Sequence, residues 1–181
     1  MRVITGTARG RKLITPAGQD VRPTSAMVKE SVFSMIQFEV EGARVLDLFA
    51  GSGQMGIEAL SRGARECVFV DSSKQSLAAL KSNLQSTGPW KNAKVHATDA
   101  LSFLQGLGGQ TFDIAFLDPP YGWGLFEQCL RLLAGHMSES AVILCEGDDA
   151  TSLPQEVPPL SLKKQYKYGK TRIFHYRQMQ D

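Results

Sequence analysis

Residues 44–56 read RVLDLFAGSGQMG, and this stretch decides the fold class. Its first half is a nearly continuous apolar run, the pattern of a strand buried on both faces of a parallel sheet. Gly51-Ser52-Gly53 interrupts the run, and residues 55–62 have helical character, so a strand feeds a helix through a tight turn. Glycines in such a turn let the backbone bend sharply and approach a ligand, with the helix amides facing it. Gly51, Gly53 and Gly56 satisfy GxGxxG, a spacing that alone suits a nicotinamide dinucleotide equally well. Asp47 separates the two readings. Its carboxylate would repel a pyrophosphate but hold a cationic amino-acid group such as S-adenosylmethionine (SAM) carries. A tight turn without any ligand is the competing structural reading.

The alternation continues outward from this unit. ECVFVD (66–71), AKVHAT (93–98), DIAFLD (113–118) and AVILCEG (141–147) read as further strands. Helical patterns over residues 74–84, 100–107 and 124–134 separate them. LKKQYKYGKTRIFHYR (162–177) ends the chain as two strands about Tyr168-Gly169-Lys170, an antiparallel hairpin foreign to a standard dinucleotide-binding domain. Upstream, RVITGT (2–7) and RKLIT (11–15) read as a hairpin around Ala8-Arg9-Gly10. A linker punctuated by Pro16, Gly18 and Pro23 follows, then a helix capped by Thr24 or Ser25 and running to about Phe38. Residues 1–23 are thus a basic extension and linker, and 24–181 the main domain.

The 181 residues, 43% of them hydrophobic, suffice for one α/β domain. No apolar run reaches the roughly 18 residues of a membrane helix. The opening MRVITGTARGRK lacks a signal-peptide core, so a cytoplasmic protein is expected. Cys67, Cys129 and Cys145 lie far apart among apolar residues, and no metal site is expected. The net charge of +2 conceals an asymmetry. Residues 1–29 carry six Lys/Arg against one acid, and 161–177 carry six with no acid. Two cationic ends on an acidic middle favour a polyanionic partner over a merely solvated face.

Acids also close the later strands. Asp71 ends the second, where a carboxylate accepts from ribose hydroxyls in NAD and SAM enzymes alike, or caps a helix beside Ser72 and Ser73. Asp99 ends the third and would meet an adenine amine, with the Ala100 amide on the ring; helix capping is its rival role. The fourth strand runs into Asp118-Pro119-Pro120-Tyr121. Ligands of open parallel sheets bind beyond the carboxyl ends of the strands, so all these acids should share one crevice. The prolines fix the backbone and leave carbonyls without donors. An exocyclic base amine is a poor nucleophile, because its lone pair is delocalised into the ring. Accepting its two N–H bonds on the Asp118 carboxylate and the Pro119 carbonyl turns the lone pair toward a methyl donor. Catalysis then comes from positioning and electrostatics. Tyr121 would stack on a base taken out of its helix or loop.

DLFAGSG, the strand-end acids and DPPY together resemble the class I SAM-dependent methyltransferases that act on amino nitrogens. RVITGTARGRKL, VRPTSAMVKESVFSMI, GIEALSRGA, LDPPY and YKYGKTRIFHY extend the resemblance over nearly the whole chain, to the bacterial 16S rRNA (guanine-N2)-methyltransferase RsmD family. The resemblance implies a Rossmann-like, mostly parallel seven-stranded sheet with a terminal antiparallel hairpin and an N-terminal β-hairpin extension. It implies transfer from SAM to a guanine of 16S rRNA in the small subunit or an assembly intermediate, with a monomer as the default. Asp47, Gly51 and Gly53 would hold the methionine part, Asp71 the ribose, and Asp99 with Ala100 the adenine. Asp118, Pro119, Pro120 and Tyr121 would form the catalytic loop. Arg2, Arg9, Arg11 and Lys12 would track RNA phosphates, and Arg22 and Thr24 match an RPT segment on the substrate side. Gln54-Met55 departs from the smaller residues expected after GSG. Tyr166, Tyr168 and Tyr176 are either base-stacking contacts or residues packing on the sheet.

Other readings remain open at this level. The same DPPY geometry serves DNA adenine-N6 methylation, although the catalytic fold nearly consumes the 181 residues and no target-recognition domain is recognisable among them. Glutamine methylation uses a motif with Asn where this chain has Asp118. An NAD oxidoreductase sits poorly with DPPY and the terminal hairpin. A non-catalytic SAM-binding ribosome assembly factor is the reading from another class.

Overall fold

The computed structural model describes residues 1–16, 24–88, 90–120 and 123–179, apart from the Trp123 side chain. The sequence-expected roles of Arg22 and Tyr121 therefore lie outside the described residues, as does most of the linker.

A single sheet organises the chain. Its strands are β1 (Arg44–Leu48), β2 (Glu66–Asp71), β3 (Ala93–Ala97), β4 (Phe112–Leu117), β5 (Met137–Asp148), β6 (Glu156–Val157), β7 (Leu160–Tyr168) and β8 (Thr171–Gln178). Their spatial order is β3-β2-β1-β4-β5-β8-β7-β6. The first five are parallel to one another, and β8 enters antiparallel between β5 and β7. The terminal hairpin is present as the sequence indicates. The sheet has eight strands where seven were expected, because the two-residue β6 pairs with the edge of β7.

Side chains alternate along each central strand, as the pleat requires. Val45, Phe69, Phe116 and Leu144 face one core, packed under α1 (Ala26–Met35), α2 (Gln54–Ser61) and α3 (Lys74–Thr87). Leu46, Val68, Ala115 and Ile143 face a second core under α4 (Ala100–Gln105) and α5 (Trp123–Leu133). Apolar burial on both faces explains why these strands read as continuous hydrophobic runs. Cys67, Cys129 and Cys145 are buried thiols within these layers. No helix of the described residues is long and apolar enough to cross a membrane.

The N-terminal extension keeps only a short part of the expected hairpin. Only one bridge forms, between Arg2 and Lys12, and residues 5–10 are turned rather than extended. Around that bridge Val3 donates to the Arg11 carbonyl at 2.9 Å and Leu13 to the Met1 carbonyl at 3.0 Å, while other amides of the arm find partners on α2. Ile4 and Thr5 donate to the Glu58 carboxylate at 2.8 and 2.9 Å, and Ala8 donates to Ser61 Oγ at 2.9 Å. Buried Val3, Ala8 and Leu13 dock the arm on the first core, so its backbone needs are met partly by the opposite arm and partly by the helix.

Candidate active site

The site is assembled where β1 leaves the sheet. Phe49 has φ 67°, a left-handed conformation rare for a large side chain, and Gly51 and Gly53 follow with φ 55° and 77°. These three residues reverse the chain into α2. Gly53 is the N-cap and offers no side chain to the exposed helix amides. Asp47, from inside β1, supplies that function: its Oδ2 accepts from the Gly56 amide at 2.9 Å. A Cβ on Gly53 would sit 2.2 Å from Leu80 Cδ1, whereas one on Gly51 would meet nothing within 4 Å. The turn is thus packed against protein at Gly53 and open at Gly51, the side from which a ligand can approach.

Asp71 closes the ring from β2. Its Oδ2 accepts from the Gly51 amide at 2.8 Å and its Oδ1 from the Ser73 amide at 2.8 Å. Ser73 caps α3 through the Ser76 amide, so Asp71 is a turn organiser with remaining acceptor capacity rather than that helix's cap. Asp99 does cap its helix, accepting from the Ser102 amide at 2.9 Å. Its bonds to Ser102 hold this exposed carboxyl below the usual carboxylate range. Ala100 beside it is buried.

Asp47, Phe49, Phe116, Asp118, Leu144 and Glu146 line one cavity of about 50 Å³ at the carboxyl ends of β1, β4 and β5, with Thr24 and Gln54 in its wall. Its electrostatics are one-sided. Asp47 is 4% exposed, and burial pushes its pKa up to about 7 against the opposing Gly56 bond. Asp118 stands at an exposed rim, yet the protein crowded around its carboxyl, with Glu146 and Asp47 near, holds its pKa well above the carboxylate range. Burial also raises Glu146, while a bond from the Thr24 hydroxyl (2.6 Å) opposes the shift. Gln54 Oε1 is buried with no hydrogen-bond partner among the described residues. Among the described residues, no Lys, Arg or His lines this cavity. Three carboxylates and an orphaned amide oxygen call for a ligand that brings donors and positive charge. The sulfonium and ammonium groups of SAM fit that demand, and a pyrophosphate does not.

Sequence reasoning missed three residues here. Glu146 is the most informative, and its signal was available: an acid directly after the apolar run of a central strand, like Asp47, Asp71 and Asp118. Phe49 was hidden because its backbone conformation carries no compositional mark. Gln54 was noticed only as a departure. Thr24, grouped with the RNA-facing residues, is 6% exposed and belongs to the cavity wall. Pro119 is half-buried beside Asp118, and Pro120 is exposed.

Arg2, Arg9, Arg11 and Lys12 are all exposed and form no ion pair among the described residues. The C-terminal cations differ, since Arg177 binds Glu39 through two nitrogens and Lys167 pairs with Asp149. Tyr176 is fully buried and donates its hydroxyl to the Pro154 carbonyl, and Tyr166 and Tyr168 pack against the first core. The three tyrosines are sheet residues. Asn83 connects the arm to the site, donating from its amide to the carbonyls of Ile14 and Ser52 at 2.9 Å each.

Comparison with known proteins bears on this arrangement. A family model described as Conserved hypothetical protein 95 matches residues 1–177. The Bacillus subtilis protein YlbH is 40% identical over 181 residues, 98% of each chain. The Escherichia coli protein named Ribosomal RNA small subunit methyltransferase D is 35% identical over 179 residues, 98% of this chain and 89% of its own. The solved structure of Escherichia coli yhhF matches with a TM-score of 0.87 and 32% identity over 99% of both chains.

Proposed function

Because the chain belongs to the Conserved hypothetical protein 95 family over residues 1–177, we propose that it is a SAM-dependent methyltransferase of small-subunit ribosomal RNA, with a guanine N2 amine as acceptor. The observation that carries the reading is the single acidic cavity at the strand ends, where Asp118 of DPPY stands beside Asp47 of the glycine turn.

The division of labour follows from the residues. Asp47 faces the positive charge of the amino-acid end, and Gln54 Oε1 offers that end a second acceptor. Gly51 leaves space for close approach, while Asp71 takes ribose hydroxyls with the acceptor capacity its two amide bonds leave. Asp99 and Ala100 stand where the adenine would lie. When bound, SAM supplies an electrophilic methyl group on a sulfonium. Asp118 and the Pro119 carbonyl accept the two N–H bonds of the base amine, holding its lone pair toward that methyl. Asp118 sits among other acids, so its carboxylate is strongly basic and a strong acceptor for those N–H bonds. Tyr121 stacks on the extruded base. Arg2, Arg9, Arg11 and Lys12 hold RNA phosphates with little regard to sequence, and the RPT segment assigns Arg22 to the substrate as well.

The test supplies methyl-labelled SAM to the purified protein with small subunits from a strain lacking it, naked 16S rRNA or duplex DNA. Mass spectrometry then identifies the modified nucleoside. N2-methylguanosine from the subunits is the expected product. N6-methyladenine in DNA would overturn the substrate, and SAM binding without transfer to any of the three would overturn the enzymatic reading.

A further inference from the structure

The cavity holds one acid more than the proposed reaction uses. SAM carries one net positive charge, and Asp47 in the glycine turn answers it. Asp118 takes the base amine. Glu146 remains, and its position relates it to the base rather than to the cofactor turn. Leu117 of β4 pairs with Cys145 of β5, so Asp118 and Glu146 follow side by side on adjacent parallel strands, which run about 4.8 Å apart. Both point to the sheet face of Phe116 and Leu144, which are themselves paired and line the same cavity. The Thr24 hydroxyl donates to Glu146 Oε2 at 2.6 Å, which fixes the carboxylate and leaves Oε1 without a partner among the described residues.

A pair of neighbouring carboxylates suits one base edge in particular. Guanine presents its N1–H next to its N2 amine, so adjacent donors lie along one edge. Adenine presents an N1 lone pair next to its N6 amine. We propose that Glu146 is the specificity-determining residue of this site, accepting the N1–H of the target guanine and repelling the N1 lone pair of adenine. The inference rests on the reading of Asp118 as the group that holds the base amine. Glu146 thereby supplies what Asp118 and Tyr121 cannot, since those two serve either amine. Discrimination of this kind combines an attractive contact to the right base with a repulsive one to the wrong base. A buried acceptor that loses its donor rejects the analogue strongly.

The experiment crosses enzyme variant with base analogue. Wild-type protein and Glu146→Gln are assayed on small subunits reconstituted with guanine or 2-aminopurine at the methylated position of the 16S rRNA. 2-Aminopurine keeps the exocyclic amine but has a lone pair at N1. Wild type is expected to prefer guanine by at least about tenfold in kcat/KM, within the range a well-made base contact gives. Glu146→Gln is expected to reduce that preference at least about tenfold, because its amide can donate to N1, with SAM affinity unchanged. Thr24→Val, which frees the carboxylate without removing it, should erode the preference in the same direction, and it carries the test if the Gln variant does not fold. An identical preference in wild type and variants overturns the assignment. So does a loss of SAM affinity that accounts for the whole effect, which would return Glu146 to the cofactor. Failure of wild type to methylate guanine at all is a different result and removes the functional reading itself.

Discussion

Lys29 Nζ lies 3.3 Å from Glu58 Oε2, and neither side chain is more than 1% exposed. Glu58 also accepts from the Ile4 and Thr5 amides and from Arg62 Nε, while Lys29 donates to the Arg2 carbonyl at 2.7 Å. One buried carboxylate on the helix that starts at the glycine turn therefore anchors the cationic arm. Burial lowers the Lys29 pKa and outweighs the opposing attraction of Glu58, so the ammonium depends on this partner. Glu58→Ala should cost about 3–5 kcal/mol, the range for breaking a buried pair on one side. Denaturant unfolding measures the loss, and hydrogen exchange at Ile4 and Thr5 should rise. A change below about 1 kcal/mol would show that the arm is held without Glu58, by its apolar contacts and by the bonds of Ala8 to Ser61 and Ile14 to Asn83.

Two glycines of one turn should respond unequally to the same substitution. Gly51→Ala meets no neighbour, so its cost is the left-handed backbone, about 1–2 kcal/mol. Gly53→Ala has a similar φ but drives a methyl into Leu80, adding about 1–3 kcal/mol of overpacking. SAM affinity should nevertheless fall more sharply in the Gly51 variant, whose Cβ enters the open side. Calorimetric unfolding and SAM titration on both proteins test the contrast. Equal losses of affinity would mean that the ligand does not approach Gly51.

Much of this arrangement was legible in the sequence, and the limits have physical causes. The central strands announced themselves because both their faces are buried, which leaves an apolar run that no surface element shares. Asp47, Asp71 and Asp118 stood out because an acid ending such a run has no packing reason to be there. The N-terminal extension was legible where its arms pair, Val3 with Arg11 and Leu13 with Met1, and not where it meets α2, since the partner for Ile4 and Thr5 is Glu58, some 54 positions away. Cross-chain hydrogen bonds of that kind leave no local pattern. The two-residue β6 is below the length at which alternation can be seen, and the role of Thr24 depends on a contact to Glu146 over 122 positions.

The acidity of the cavity gives SAM binding a pH dependence with a definite sign. Asp47 has its pKa raised from 3.8 to about 7, so between those values the folded chain keeps a proton that the unfolded chain has lost. That contribution to stability is complete below pH 4 and vanishes as pH rises through 7, on the order of 4 kcal/mol in all. Asp118 and Glu146 face the same cavity and shift in the same direction, and no Lys, Arg or His among the described residues lines it to oppose them. The cationic end of SAM faces Asp47 and needs that carboxyl ionised, so SAM affinity should climb as pH rises toward and through 7. Titration calorimetry at pH 6 in buffers of different ionisation enthalpy should register proton release. Constant affinity from pH 5.5 to 8 without proton release would refute the linkage.

The arm cations should act through salt rather than through sequence. Arg9 and Arg11 are exposed and form no ion pair among the described residues, so reversing both to Glu should leave stability nearly unchanged. RNA affinity should weaken, and the slope of log K against log salt should become shallower by roughly 0.7–0.9 for each phosphate that is no longer neutralised. Filter binding over a salt series measures the slope. An unchanged slope would return both arginines to ordinary surface.

Asp118 should separate activity from stability. Its carboxyl is crowded by protein and repelled by Glu146 and Asp47, so the free enzyme carries an unfavourable interaction at this position. Replacing it with Asn keeps the shape and removes the charge. Asp118→Asn is therefore expected to raise the melting temperature above neutral pH, where the wild-type acids are most strongly driven to ionise together. The same change, and Asp118→Ala more severely, should lower methyl transfer by at least about 100-fold, because an amide is a weaker acceptor for the base N–H and a methyl accepts nothing. SAM affinity should change by less than about threefold, since Asp47 and the glycine turn remain. A variant that loses activity while losing stability would mark Asp118 as a structural residue of the strand end. A more stable protein that binds SAM and transfers nothing is the outcome its place beside Glu146 requires.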